Sequence, residues 1–220
     1  MADQVIKNNV VEVFGKISSG FEFSHEVYGE GFYNFTMDVE RLSEACDKIR
    51  VLVSERLLDP KQDYKGKFIE VEGQFRSYNR HENGKSRLIL SVFAREVIVH
   101  DESISKNPNV IYLDGYVCKK PIYRTTPFGR EITDLLIAVN RPYNKSDYIP
   151  AIAWGRNARF AEKLEVGRRI KMWGRIQSRV YQKKLSEENV IEKTAYEVSV
   201  SKMEIVNEET NNSEEESKDL

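Results

Sequence analysis

Residues 147–176 read DYIPAIAWGRNARFAEKLEVGRRIKMWGRI, and the spacing of their apolar side chains changes twice. In the first eight residues Ile149, Ala151 and Ala153 take one parity, while Tyr148, Ile152 and Trp154 take the other. A period of two puts those sets on opposite faces of a strand. Between residues 155 and 165 the period lengthens, and Ala158, Ala161 and Leu164 fall on one face of a helix. After Gly167 the alternation returns, with Ile170 and Met172 on one side and Lys171 and Trp173 on the other. The segment predicts strand, short helix, strand.

Working outward, the rest of the chain repeats this frame. At an offset of 100, Gly15 matches Gly115, Gly29 matches Gly129, Val39 and Arg41 match Val139 and Arg141, and Asp47 and Ile49 match Asp147 and Ile149. At 101, Gly66, Gly73 and Ser77 match Gly167, Gly174 and Ser178. The last strand is predicted to return at 108, with Ser91, Val92 and Glu96 against Ser199, Val200 and Glu204. Matches that stay collinear over a domain length are the mark of a duplication. Each copy contains about five alternating runs, such as VVEVFGKI, YNFTMDV, KFIEVEGQF and SRLILSVFA in the first. The first copy's counterpart of the helix, SERLLDPKQDY, is limited by Pro60 to a short helical turn. Five strands with a short helix between the third and fourth is the order of the OB fold, a small, partly open barrel. The chain is therefore predicted to be all-β: a first OB-fold barrel over 1–104, a linker near 105–109, a second barrel over 109–206 and a disordered acidic tail over 207–220.

Charge divides along the same boundaries. The whole chain carries a net −1, but residues 1–108 hold 15 basic and 18 acidic side chains (net −3), and residues 109–206 hold 18 and 11 (net +7). The last fourteen residues, NEETNNSEEESKDL, hold one Lys and six acids (net −5). A basic second half followed by an acidic, apolar-poor tail predicts a polyanion-binding domain with a disordered appendage. Nothing in the chain reads as a membrane span or a signal peptide, so the expected location is cytoplasmic. Cys46 and Cys118 have no metal-ligand spacing and read as reduced, partly buried thiols.

The second copy also holds the residues suited to that ligand. Arg124, Phe128, Arg130, Tyr143, Tyr148, Trp154, Arg156, Arg175, Arg179, Tyr181, Lys183 and Lys184 fall on its middle strands and long hairpins. A binder indifferent to sequence needs aromatic faces for bases and cations for the phosphates between them. Phe128, Tyr143, Tyr148, Trp154 and Tyr181 are the candidate stacking residues, and the seven Arg and Lys the candidate phosphate contacts. Burial in a core is the competing reading for aromatic side chains, and the parity of Tyr148 and Trp154 opposes it.

From Asn109 to Val206 the chain resembles the bacterial single-stranded DNA-binding protein family. The resemblance rests on NVIYLDGYVCKKPIYRTTPFGREITDLLIAVNRPY, DYIPAIAWGRNARFAEKL, GRRIKMWGRIQSRVYQ and YEVSVSKMEI. It implies stacking residues at Tyr143, Tyr148, Trp154 and Tyr181, and an assembly of four barrels, which two copies of a two-barrel chain would supply as a homodimer. In this geometry the outward Trp173, with Lys171 beside it, is expected at a subunit interface. The first copy departs from the pattern, with Ser43, Lys48 and Ser54 in place of Tyr143, Tyr148 and Trp154. Its own aromatics, Phe21, Phe23, Tyr28, Phe32, Tyr33 and Phe35, read as about half core, leaving the remainder open between a nucleic-acid surface, a barrel interface and a partner site. The tail keeps the family's acidity but ends in Ser217-Lys218-Asp219-Leu220, with one apolar residue where the family has a short apolar sequence that recruits replication and repair proteins, so the resemblance leaves it open between docking such partners and a solubilising tail.

No enzyme motif occurs, no cofactor or metal is implied, and the carboxylates Asp114, Glu131, Asp134 and Asp147 are scattered rather than paired. The expected function is sequence-tolerant binding of single-stranded DNA during replication, recombination or repair. The alternative is an OB-fold interaction module of a primosome-like or mobile-element complex, with the first barrel as the protein-binding surface.

Overall fold

The computed structural model describes residues 7–207, apart from 42, 44, 83, 105, 106 and 185–189. The acidic tail beyond Asn207 lies outside the described residues, as do the side chains of Lys183 and Lys184. The first copy runs β1 (Asn9–Ile17), β2 (Glu22–Val27), β3 (Glu30–Glu40), β4 (Cys46–Ser54), β5 (Phe68–Glu82) and β6 (Lys85–His100). The second runs β7 (Asn109–Val117), β8 (Ile122–Thr125), β9 (Glu131–Arg141), β10 (Lys145–Trp154), α1 (Arg156–Ala161), β11 (Arg169–Lys184) and β12 (Val190–Ile205).

Five strands of each copy close a barrel. In the first, β1 pairs with β3, β3 with β4, β4 with β6 in parallel, β6 with β5, and β5 back to β1. The second repeats this circuit through β7, β9, β10, β12 and β11. The chain is a tandem pair of OB-fold barrels. The short β2 and β8 are additional edge strands, each hairpinned onto the strand that follows it. To close the circuit β1 must turn from β5 onto β3, and Gly15 stands at that turn with its counterpart Gly115 in β7. A Cβ on either would collide with a backbone carbonyl, that of Asp38 or Ala138.

Alternation selects the core as the sequence predicts. Phe35, Met37 and Val39 point into the first barrel, and Ile149, Ala151 and Ala153 into the second. Ile152, on the outward parity of β10, is nevertheless buried. The helix forms in the second copy only, with Ala158 and Ala161 buried. In the first copy the carbonyl of Ser54 accepts from the amides of Leu57 and Leu58, a single turn. Pro60 stands just beyond it, with no amide to continue a helix. Cys46 is exposed rather than partly buried, and Cys118 is half-buried.

The offset of the last strand needs correction. Gly73 pairs with Ala94 and Gly174 with Val200, so Ala94 corresponds to Val200 and the offset is 106, not 108. A slip of two residues leaves inward and outward parity unchanged, so alternation alone could not detect it.

The barrels are joined by antiparallel pairing of β1 with β7, in which Val11 opposes Ile111. This makes one continuous sheet, β6-β5-β1-β7-β11-β12, across the junction. Asn9 clasps the backbone of Phe75 through both amide atoms, and Asn109 clasps Ile176 in the same way.

Candidate nucleic-acid interface

On the second barrel the candidate aromatics occupy one strand and three hairpins. Trp154, half-buried at the end of β10, faces Ile132 across the strand pair, and Tyr148, 44% exposed, faces Ala138. Tyr143 forms the β9–β10 turn with Asn144, both at positive φ, and is 94% exposed. A bulky residue is uncommon in that conformation, which here holds the ring in solvent. Phe128, at the tip of the β8–β9 hairpin before Gly129, is 92% exposed. Tyr181 lies on the exposed part of β11, with the Arg179 guanidinium 5.9 Å from its ring centre.

The candidate cations divide into two groups. Arg130, Arg156 and Arg179 are exposed. Arg124 is held by Asp134 at 2.6 Å, and Arg175 reaches Asp47 of the first barrel at 3.1 Å. Asp114 and Glu131 are likewise engaged, by Arg169 and Arg159, each at 2.9 Å. Arg159, helped by the Tyr123 hydroxyl, holds the Glu131 carboxyl below its ordinary range. The four carboxylates therefore lie in four separate ion pairs, Asp147 pairing with Arg141.

Each long hairpin crosses onto the other barrel, which the sequence reading did not foresee. The amide of Ser178 on β11 donates to Asp47 Oδ1 at 2.7 Å, and Ser178 Oγ accepts the Lys48 amide on β4 at 2.9 Å. Reciprocally, the Ser77 amide on β5 donates to Asp147 Oδ1 at 2.8 Å, and Ser77 Oγ accepts the Tyr148 amide at 2.7 Å. Arg179 and Tyr181 thus follow directly after a residue docked on β4 of the first barrel, and Tyr78 follows one docked beside Tyr148. The signal was present in the repeat, since Arg41, Asp47 and Ser77 and their counterparts Arg141, Asp147 and Ser178 are among its matches. Spacing alone gave no reason to bring them together.

The two aspartates are not equivalent. Asp47, fully buried, binds Arg41 through both carboxylate oxygens and Arg175 as well. Asp147 has Arg141 at 3.3 Å, its Oδ2 accepts no hydrogen bond, and burial pushes its carboxyl up against the opposing pull of the Ser77 amide, Arg141 and Arg76.

Trp173 belongs to a different face. Its ring lies 5.2 Å from that of Tyr112, and Lys202 Nζ is 4.7 Å from its centre. Tyr112 in turn opposes Val10, so these residues form a row across the junction sheet, where Val10, Ile98 and Val110 are exposed. Lys171 stands two residues away, between Asp114 and Glu204 on the flanking strands.

Comparison with known proteins fits this arrangement. The profile of the single-strand binding protein family matches residues 108–206. The second barrel is thus similar, over its full length, to the single-strand binding protein family. Among solved structures, a deletion and point variant of the single-stranded DNA-binding protein from Thermus aquaticus is 20% identical, with a TM-score of 0.71 over 94% of this chain and 98% of that one. The wild-type Thermus aquaticus protein is 19% identical, with a TM-score of 0.70 over 90% and 93% of the two chains. The dimeric N-terminal domain of PriB protein from Thermoanaerobacter tencongensis is 45% identical over 44% of this chain and 100% of that one, with a TM-score of 0.38. No curated protein matches the chain. Among the described residues no helix is long and apolar enough to cross a membrane, and no group of three or more His, Cys, Asp or Glu could hold a metal.

Proposed function

We propose that the chain binds single-stranded DNA without strong sequence preference and protects it during replication, recombination or repair, as a binding protein rather than a catalyst. The observation that carries the reading is the set of outward aromatics on the second barrel, Tyr148, Trp154, Tyr143 and Phe128, set among the exposed Arg130, Arg156 and Arg179. Unpaired bases supply flat faces for those rings, and phosphates supply charge for the cations. Tyr181 extends the stacking set along its hairpin, with Lys183 and Lys184 following in sequence. Arg124 can reach a phosphate by leaving Asp134, whereas Arg175 serves the barrel junction through Asp47. Titration with oligo(dT) and with duplex of equal length, followed by tryptophan fluorescence, tests the reading. Quenching with tight, salt-dependent binding to the single strand is expected. Equal affinity for duplex overturns it.

The same reading makes the chain a homodimer of four barrels, joined through the Trp173 face of the junction sheet. Support comes from the exposed Val10, Val110 and Ile98 on that face. Light scattering should give twice the chain mass at micromolar concentration, and a stable monomer would reject the assembly.

A further inference from the structure

The first barrel lacks an aromatic at position 54, but its outer face is not bare. The residues that flank this position on the neighbouring strands have changed in the opposite sense. In the second barrel Trp154 on the central strand β10 faces Ile132 on β9, and Ile152, two residues before it, pairs with Ser199 on β12. In the first, the small Ser54 on β4 stands between Phe32 on β3, its cross-strand partner, and Phe93 on β6, beside Leu52. Neighbouring strands lie about 4.8 Å apart, so β3 and β6 are separated by about twice that. The Phe32 and Phe93 ring centres nevertheless come within 6.0 Å, at 26° between planes, so the rings lean toward each other across β4. Ser54 is buried, and its hydroxyl donates to Glu30.

The pair is extended at both ends. His25 on β2 stacks on Phe32 at 5.1 Å and 7° between planes, and the Arg76 guanidinium lies 3.8 Å over the Phe93 ring. His25 is exposed, and Tyr28 at the tip of the same hairpin is fully exposed, at the position matching Phe128. This face also receives the second barrel's long hairpin, which docks through Ser178 on the Lys48 amide and carries Arg179 and Tyr181 onward. Rings and a capping cation therefore stand together here, and the docked hairpin brings Arg179 to the same strand farther along β4.

We propose that the first barrel is a second single-stranded nucleic-acid surface, on which bases stack against Phe32, Phe93 and His25 in place of the missing central aromatic. The inference rests on the proposed function, since it extends the same strand from the second barrel onto the first. A net-negative first half makes this the weaker surface, engaged when the strand is long enough to leave the second barrel.

The test uses the full chain with Phe32→Leu and Phe93→Leu together, which keeps apolar volume and removes the flat faces. Binding is measured for an oligo(dT) of about 8 nucleotides, within the span of one OB fold, and for one of about 35, beyond two. The double variant should bind the long oligomer about 5-fold or more weakly and the short one nearly as wild type. Trp154→Ala should weaken both. Photo-crosslinking of wild type to a long oligomer carrying 5-iodouracil should give adducts on peptides containing Phe32 or Phe93, a readout that stands even if the double variant fails to fold. Wild-type binding with no first-barrel adduct, or an unchanged affinity of a folded double variant for the long oligomer, overturns this inference alone and leaves the pair as packing or a protein-binding surface. Absence of any binding by wild type overturns the proposed function, and this inference with it.

Discussion

The two barrels share a frame and differ in what they display on it. Both close through the same five-strand circuit, both turn their first strand at a glycine, and both dock a long hairpin on the other through a serine and a buried aspartate. Outside that frame, Tyr148 and Trp154 of the second barrel correspond to Lys48 and Ser54 of the first. Inward positions are shared because each barrel must fill the same interior at native density. Outward positions are constrained only by what they touch, so a duplicated barrel can move or lose its ligand-binding side chains without losing its fold.

The strongest way to break the apparent symmetry is at the junction. Asp47→Ala leaves Arg41 and Arg175 without their shared carboxylate; because both guanidiniums are partly exposed, the loss should fall below the ~3–5 kcal/mol of a wholly buried pair. Asp147→Ala should cost less, because its carboxylate makes fewer hydrogen bonds and is already disfavoured as an anion by burial. Urea unfolding of the two variants measures the difference, and equal losses would make the junction symmetric in energy as well as in layout.

Binding provides the next contrast. Trp154→Ala and Tyr148→Ala should each weaken oligo(dT) binding by about 1–3 kcal/mol, the usual value of a stacked base. Lys48→Ala, at the first barrel's counterpart of Tyr148, should change affinity several-fold less. A comparable loss at Lys48 would contradict the asymmetry.

Salt dependence separates the arginines that the sequence grouped together. Arg156→Ala and Arg179→Ala should each lower the slope of log affinity against log salt by about 0.7, the value for one single-strand phosphate contact. Arg175→Ala should leave the slope nearly intact and lower stability instead, since its guanidinium is bound to Asp47. The smallest effect is expected from truncation after Val206. Removing the tethered acidic tail should tighten binding to the basic barrel at low salt and change little at high salt, where screening already suppresses the competition.

By itself the sequence determined the inward set of each strand, the duplication, the helix after Trp154 and its curtailment before Pro60. It also put Tyr148 and Trp154 on the outward parity of β10, where Tyr148 is exposed and Trp154 half-buried. These are local properties, because side-chain parity and a proline's missing amide act over a few residues. Tertiary structure alone decided the offset of 106, the crossing of each hairpin onto the other barrel, the diversion of Arg175 to Asp47 and the convergence of Phe32 with Phe93 over Ser54. Each joins strands far apart in the chain, and some join residues more than 120 positions apart. An alternating pattern fixes which face a side chain leaves from but carries no information about which strand stands beside it, and that adjacency is set only when the barrels close and dock.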